Sequence, residues 1–165
     1  MKRMEKKVEE YKWNKSGFAF MTQNLIGTKA RSGYRAGVID LDSATNLHSN
    51  DVSDEMLGSY VSQALHESQA WSLEKTLSFA NDPVPHATWA EELRVFGGYK
   101  FRKDIFRRMK QVEFYIKNGQ IIFIPTSKDR GVFNGRGKDF HIIIPEDSSK
   151  ADIGVALRLA FERSR

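Results

Sequence analysis

The stretch VEFYIKNGQIIFI, from Val112 to Ile124, sets two β-rich runs around an Asn118-Gly119 pair. Both residues of such a pair tolerate the positive φ of a tight type I′ turn, so the segment reads as a β-hairpin. Pro125 marks the end of its second strand, because proline cannot donate to a ladder. Ser127 to Lys138 (SKDRGVFNGRGK) reads as a loop, and Phe140 to Ile144 (FHIII) as a further strand. Ser149 then opens an amphipathic helix carrying Ile153, Val155, Ala156, Leu159, Ala160 and Phe161.

Upstream of the hairpin the pattern is strand, turn, strand, helix. Alternation from Phe18 to Thr22 predicts a strand, and Tyr34 to Leu41 (YRAGVIDL) a second. Gly27 to Gly33 (GTKARSG) reads as a polar turn between them, and Asp42 to Val52 as a loop. Ser53 or Asp54 caps a helix whose stripe is Met56, Leu57, Tyr60, Val61, Ala64 and Leu65, running to about Gln69 and toward Leu77. The two prolines of Asn81 to His86 (NDPVPH) break any helix, leaving a short one over Thr88 to Leu93. A basic helix is expected from Arg102 to Lys110.

Two of these helices echo each other. Ser53, Gly58 and Ser68 recur as Ser149, Gly154 and Ser164, each 96 residues later. A glycine inside a helix costs about 1 kcal/mol against alanine, so a packing reason is expected. Each glycine is expected to let its helix lie close to a sheet. The fold class that follows is α/β of the α+β kind: one domain over 1–165, with a mixed or largely antiparallel sheet of five or six strands. Helices pack on that sheet, and two related strand–helix halves share it. Residues 1–11 read as a charged leader.

Composition narrows the function. With 40% hydrophobic and 28% charged residues, the chain has the make-up of a globular domain. The absence of cysteine excludes disulfides, thiol chemistry and Cys-based zinc sites. No apolar run is long enough to span a membrane and no secretory h-region follows the start, so a cytoplasmic location is expected. The net charge of +5 is unevenly spread, with acids clustered at Asp40, Asp42, Asp51, Asp54 and Glu55 and bases at Lys100, Arg102, Lys103, Arg107, Arg108 and Lys110.

No constellation carries recognisable chemistry. There is no nucleophile elbow and no Walker loop. Gly131 to Gly137 is glycine-rich, but a strand follows it where a phosphate loop needs a helix N-terminus. His48, His66, His86 and His141 have no metal-ligand spacing. Asp40, Asp42 and Glu55 could in principle hold Mg²⁺ for a hydrolase, but acids at a strand end and a helix start are the simpler reading. The basic 100–110 segment, interleaved with Tyr99, Phe101 and Phe106, allows a nucleic-acid-binding module as the alternative to a protein binder. No catalytic residue, metal, cofactor or small-molecule ligand is expected.

The run from Lys103 to Pro125 places a basic helix ending in Met109 before a V-x-F-x-I strand, an N-G turn and an I-I-F-I-P strand. Gly131 and Gly135 follow, then an apolar strand, then I-G-x-x-x-x-x-A-F-x-x-S-R from Ile153 to Arg165. In these features the chain resembles the CdiI family, the immunity proteins of bacterial contact-dependent growth inhibition. The resemblance implies a bacterial cytoplasmic protein that binds and neutralises the C-terminal toxin domain, typically a nuclease, of a cognate CdiA protein. It also implies sheet extension by a toxin hairpin as a binding mode. The family has no catalytic residues to carry over. Aromatic and arginine side chains dominate interface hot spots, which makes Tyr99, Arg102, Arg130, Phe133 and Arg136, with Tyr34 and Arg35 behind them, the expected contact residues.

Overall fold

The computed structural model describes residues 12–165; the charged leader lies outside them. The hairpin is present as β5 (Lys110–Lys117) and β6 (Gln120–Asp129), with Asn118 and Gly119 both at positive φ, 52° and 72°. Pro125 does not end β6. It lies opposite Val112 of β5, at the point where β6 changes its other neighbour. Residues Gln120–Phe123 pair with β8 (Ile142–Pro145), and Thr126–Asp129 pair with β7 (Val132–Gly135). A proline is tolerated in that gap because neither outer strand asks it for an N–H. The glycine-rich segment expected to be a loop is thus largely strand, turned at Arg130 and Gly131 (φ 50° and 80°).

The first half repeats this plan. It consists of β1 (Ser16–Met21), β2 (Ile26–Tyr34), β3 (Ala36–Ile39) and β4 (Thr45–His48). The expected turn at Gly27 to Gly33 is the body of β2, and the expected loop after Asp42 contains β4. Polarity misleads here because the polar side chains of β2 are buried with partners. Thr28 donates to the Tyr60 carbonyl (3.0 Å), Lys29 to the Ser43 carbonyl (2.7 Å) and Ser32 to Asp40 (2.5 Å). Gly27 lets β4 close in, since a Cβ there would lie 2.2 Å from the Asn46 carbonyl oxygen. The sheet has eight strands rather than five or six, along the path β3-β2-β1-β5-β6-β7, with β4 on β2 and β8 on β6. Every ladder is antiparallel.

The two halves meet at the β1–β5 pairing, across which they are related as two copies of a β-β-β-β-α unit. Gly27↔Leu47 recurs as Ile122↔Ile143, and Arg31↔Ile39 as Thr126↔Gly135, each first partner 95 residues on and each second partner 96. The helices that close the units are α1 (Asp54–Glu67) and α5 (Lys150–Glu162), N-capped by Ser53 and Ser149 through side-chain bonds to Met56 N and Asp152 N. They pack on one sheet face around Leu57, Val61, Phe114, Phe123, Leu157 and Phe161. The closest approach of Gly58 and Gly154 is to the opposite helix, not to the sheet. A Cβ on Gly58 would lie 1.8 Å from the Lys150 carbonyl oxygen, and one on Gly154 would lie 2.0 Å from that of Asp54. Polar ties repeat the relation, Arg158 to Asp54 at 2.6 Å and Lys150 to Ser62 at 2.7 Å.

Between the halves runs an insertion without counterpart: α2 (Leu73–Ala80), α3 (Val84–Gly97) and α4 (Arg102–Phe106). The prolines expected to break a helix start one instead. Pro83 is the N-cap residue and Pro85 sits in the first turn of α3, where no N–H is needed. The basic helix ends at Phe106, and Lys110 already belongs to β5. Trp89 and Leu93 of α3, with Ile105 and Met109, cover Phe18, Phe20 and Leu25 on the other sheet face.

A candidate partner-binding surface

The periodicity that points Trp89 and Leu93 of α3 inward turns Val84, Thr88, Glu91 and Val95 outward. Together with Leu47 of β4, Phe96 and Arg102, these outward residues line an open, almost wholly apolar groove of about 740 Å³. Val95 and Val84 are 65% and 53% exposed, and lining one groove they form a contiguous apolar patch rather than scattered surface residues. Beside the groove lies β4, which pairs with β2 on one side; its other edge carries no strand among the described residues.

The charged residues of the lining are Glu91, Glu92 and Arg102. Arg94 holds Glu91 in a bidentate contact, 2.8 Å at the shortest, and Arg102 approaches it at 3.4 Å. These contacts hold the Glu91 carboxyl below its ordinary pKa, the Arg94 hydrogen bonds contributing most, and they raise that of Arg94. Under the floor, Lys29 is buried with the Ser43 carbonyl as its hydrogen-bond acceptor. Burial lowers its pKa, partly offset by the charge of Glu92 above it. Thr45, opposite Lys29 in the β2–β4 ladder, keeps a buried hydroxyl without a hydrogen-bond partner.

The expected contact residues are not brought to one place. Arg102 lines the groove. Tyr99 is half-buried: its hydroxyl donates to Thr22 at 2.6 Å and its ring packs under α3. Arg130 is at the exposed tip of the β6–β7 hairpin, and Phe133 turns back against the second core cluster. Arg136 lies over the Phe140 ring (3.5 Å) and donates to the Arg163 carbonyl; burial, then Arg165, lowers its pKa. Tyr34 and Arg35 form the β2–β3 tip, with the guanidinium 5.6 Å from the ring centroid. Arg35 and Arg130 lie 95 residues apart and both have left-handed backbones, so they are equivalent tips of the two halves.

Leu47, Val84, Val95 and Phe96 were not among the expected contacts. The outward spacing of α3 would have found Val84, Val95 and Phe96 only with the helix start placed at Val84, and Leu47 needed β4 to be recognised as a strand. Asp40, one of the possible metal-binding acids, is buried and committed, accepting from Ser32 and from the Asp42 amide (3.0 Å). His141 is within hydrogen-bond distance of the Arg136 carbonyl, at 2.9 Å. Of the bases of the 100–110 segment, Arg102 reaches Glu91, Lys100 and Lys103 lie over Phe101, Lys110 donates to the Phe161 carbonyl, and Arg107 and Arg108 line a cavity with Tyr99.

Comparison with known proteins gives a concordant picture. The model of the family CdiI, CDI immunity protein, matches residues 15–164. The immunity protein CdiI-YPIII of Yersinia pseudotuberculosis serotype O:3 (strain YPIII) is 30% identical, with 88% of this chain and 92% of that protein aligned. Among solved structures, a chain of the CdiA-CT/CdiI toxin and immunity complex from Yersinia pseudotuberculosis superposes with a TM-score of 0.82 at 26% identity, covering 94% of this chain and all of that one. A protein of unknown function from Neisseria meningitidis shares the fold, with a TM-score of 0.86 at 22% identity over 96% of this chain and 99% of that one.

Proposed function

Because the chain belongs to the CdiI family of CDI immunity proteins, we propose that it binds and neutralises the C-terminal toxin domain of a cognate CdiA protein. In this reading it acts in the bacterial cytoplasm as a binder with no chemistry of its own, and the toxin is a nuclease. The observation that carries the site is the free edge of β4 beside the apolar groove of α3. A toxin strand added to β4 would gain main-chain hydrogen bonds from the edge and bury alternate side chains against Leu47, Val84 and Val95. The first gives affinity with little regard to sequence, and the second gives the preference for one toxin. Glu91, Glu92 and Arg102 at the groove's rim would set the register and suppress wrong partners.

The test is co-expression with the cognate toxin domain, paired with titration calorimetry. Wild-type chain rescues growth, and Val95→Glu weakens toxin binding at least tenfold while leaving the fold intact, since Val95 is 65% exposed. Toxin binding also slows amide exchange across Thr45–His48. A toxin that kills equally with and without the chain refutes the proposal.

A further inference from the structure

The internal duplication provides a template for a sheet face over which no helix lies among the described residues. In the first half, Phe18 and Phe20 of β1 lie under α3, each ring 5.2 Å from that of Trp89, and Leu47 of β4 packs at the margin of the same cluster. The equivalent positions of the second half are Glu113, Tyr115 and Ile143. Where the first half has Gly27 and Lys29, the second has Ile122 and Ile124. Strand alternation puts all of these on the face opposite α1 and α5, which hold Val112, Phe114, Ile121 and Phe123. No helix lies over them among the described residues as α3 lies over the first half. Ile143 is 54% exposed, Tyr115 and Ile124 are half-buried beside Trp13 and Asn14, and Ile122 between them is buried. The second half thus offers a β-branched floor in the register that accepts a helix in the first half.

We infer that this face of β5, β6 and β8 seats an amphipathic helix of the toxin domain, laid as α3 lies on β1, β2 and β4. The inference rests on the toxin-binding reading above. Three observations select the occupant. The same strand plan, offset by 95 or 96 residues, is covered by a helix once already, so its curvature and spacing suit one. The face lies on the same side of the sheet as the groove, with α3 between them, so a single partner straddling α3 reaches both. The charge at its centre is neutralised internally by Arg31 and Glu113, 3.0 Å apart, whereas Lys117 stands exposed at its rim. The seated helix therefore carries aliphatic or aromatic residues at 3–4-residue spacing against Tyr115, Ile124 and Ile143, and a carboxylate toward Lys117.

Titration of the full chain with its cognate toxin domain tests this, with Ile143→Glu and Lys117→Glu beside Val95→Glu in the groove. Both Ile143 and Lys117 are exposed, so neither change disturbs the core. Ile143→Glu is expected to weaken binding about tenfold and Lys117→Glu about threefold, the second effect shrinking at high salt. Hydrogen exchange in the complex should leave the β8 edge amides as they are in the free chain, because a helix covers a sheet face without pairing with its edge. Unchanged affinity in Ile143→Glu, with Val95→Glu still weakened, overturns the inference and leaves the toxin-binding reading standing. New protection of the β8 amides overturns it too, since a strand would then occupy that edge. If the wild-type chain fails to bind the toxin, the reading itself falls.

Discussion

Replacing Gly58 with alanine should destabilise this protein, against the usual effect of that change in a helix. In an open helix the alanine would gain about 1 kcal/mol. At Gly58 the new Cβ would lie 1.8 Å from the Lys150 carbonyl oxygen of α5. An ordinary carbon–oxygen contact is roughly 3.3 Å, so the helices must part by about 1.5 Å; main-chain atoms cannot rotate aside as a side chain can. Overpacking of this kind costs about 3 kcal/mol, the upper end of the usual range. The net loss is about 2 kcal/mol, or about 4–8 °C in Tm for a chain of this size. Gly154→Ala should behave alike, since its Cβ would meet the Asp54 carbonyl oxygen at 2.0 Å. One separation of the helices relieves both clashes, so the double variant should lose clearly less than the sum of the two. Calorimetry or urea unfolding measures all three. A rise in Tm for either single variant, or strict additivity in the double, would refute a main-chain crossing at these glycines.

Two further substitutions probe the sheet. Burial lowers the pKa of Lys29 below its ordinary 10.5, so the folded state holds this proton less tightly than the unfolded one. Its stabilising contribution is therefore full above pH 10.5 and lost as pH falls through the depressed folded value. Urea midpoints of wild type and Lys29→Met should accordingly diverge in favour of wild type as the pH rises toward 10.5; a difference that stays constant up to that pH would contradict the burial argument. Arg130→Gly should raise Tm by about 2 °C. A left-handed backbone costs a non-glycine residue about 1–2 kcal/mol, of which the greater chain entropy of glycine takes back about half. A lower Tm would mean that the Arg130 side chain contributes more to the fold than its φ of 50° costs.

How much of this was legible in the sequence follows from how local each feature is. The Asn118-Gly119 hairpin, the Ser53 and Ser149 caps and the 96-residue echo depend on neighbouring residues and on periodicity, and each is found where the residues place it. Strand β2 was hidden because its Thr28, Lys29 and Ser32 are made tolerable only by acceptors distant in sequence, Tyr60, Ser43 and Asp40. Helix α3 was misplaced because proline breaks a helix interior but suits its first turn, and composition does not distinguish the two. With the helix start unseen, the outward row from Val84 to Val95 had no face to belong to.

The sequence by itself therefore determined the central hairpin, the capped helices α1 and α5, the absence of cysteine chemistry and the existence of two related halves. Only the tertiary structure decided what those halves do to each other. Gly58 and Gly154 mark a close approach in the sequence, but whether to sheet or helix depends on main-chain atoms of Lys150 and Asp54, 92 and 100 residues away. Likewise, the bulk of Ile143 or Val95 is visible in one dimension, while its meaning comes from position: one lies on the copy of a helix-covered face, the other in a groove beside the β4 edge. A partner reads surfaces, and surfaces are assembled from residues that the chain keeps far apart.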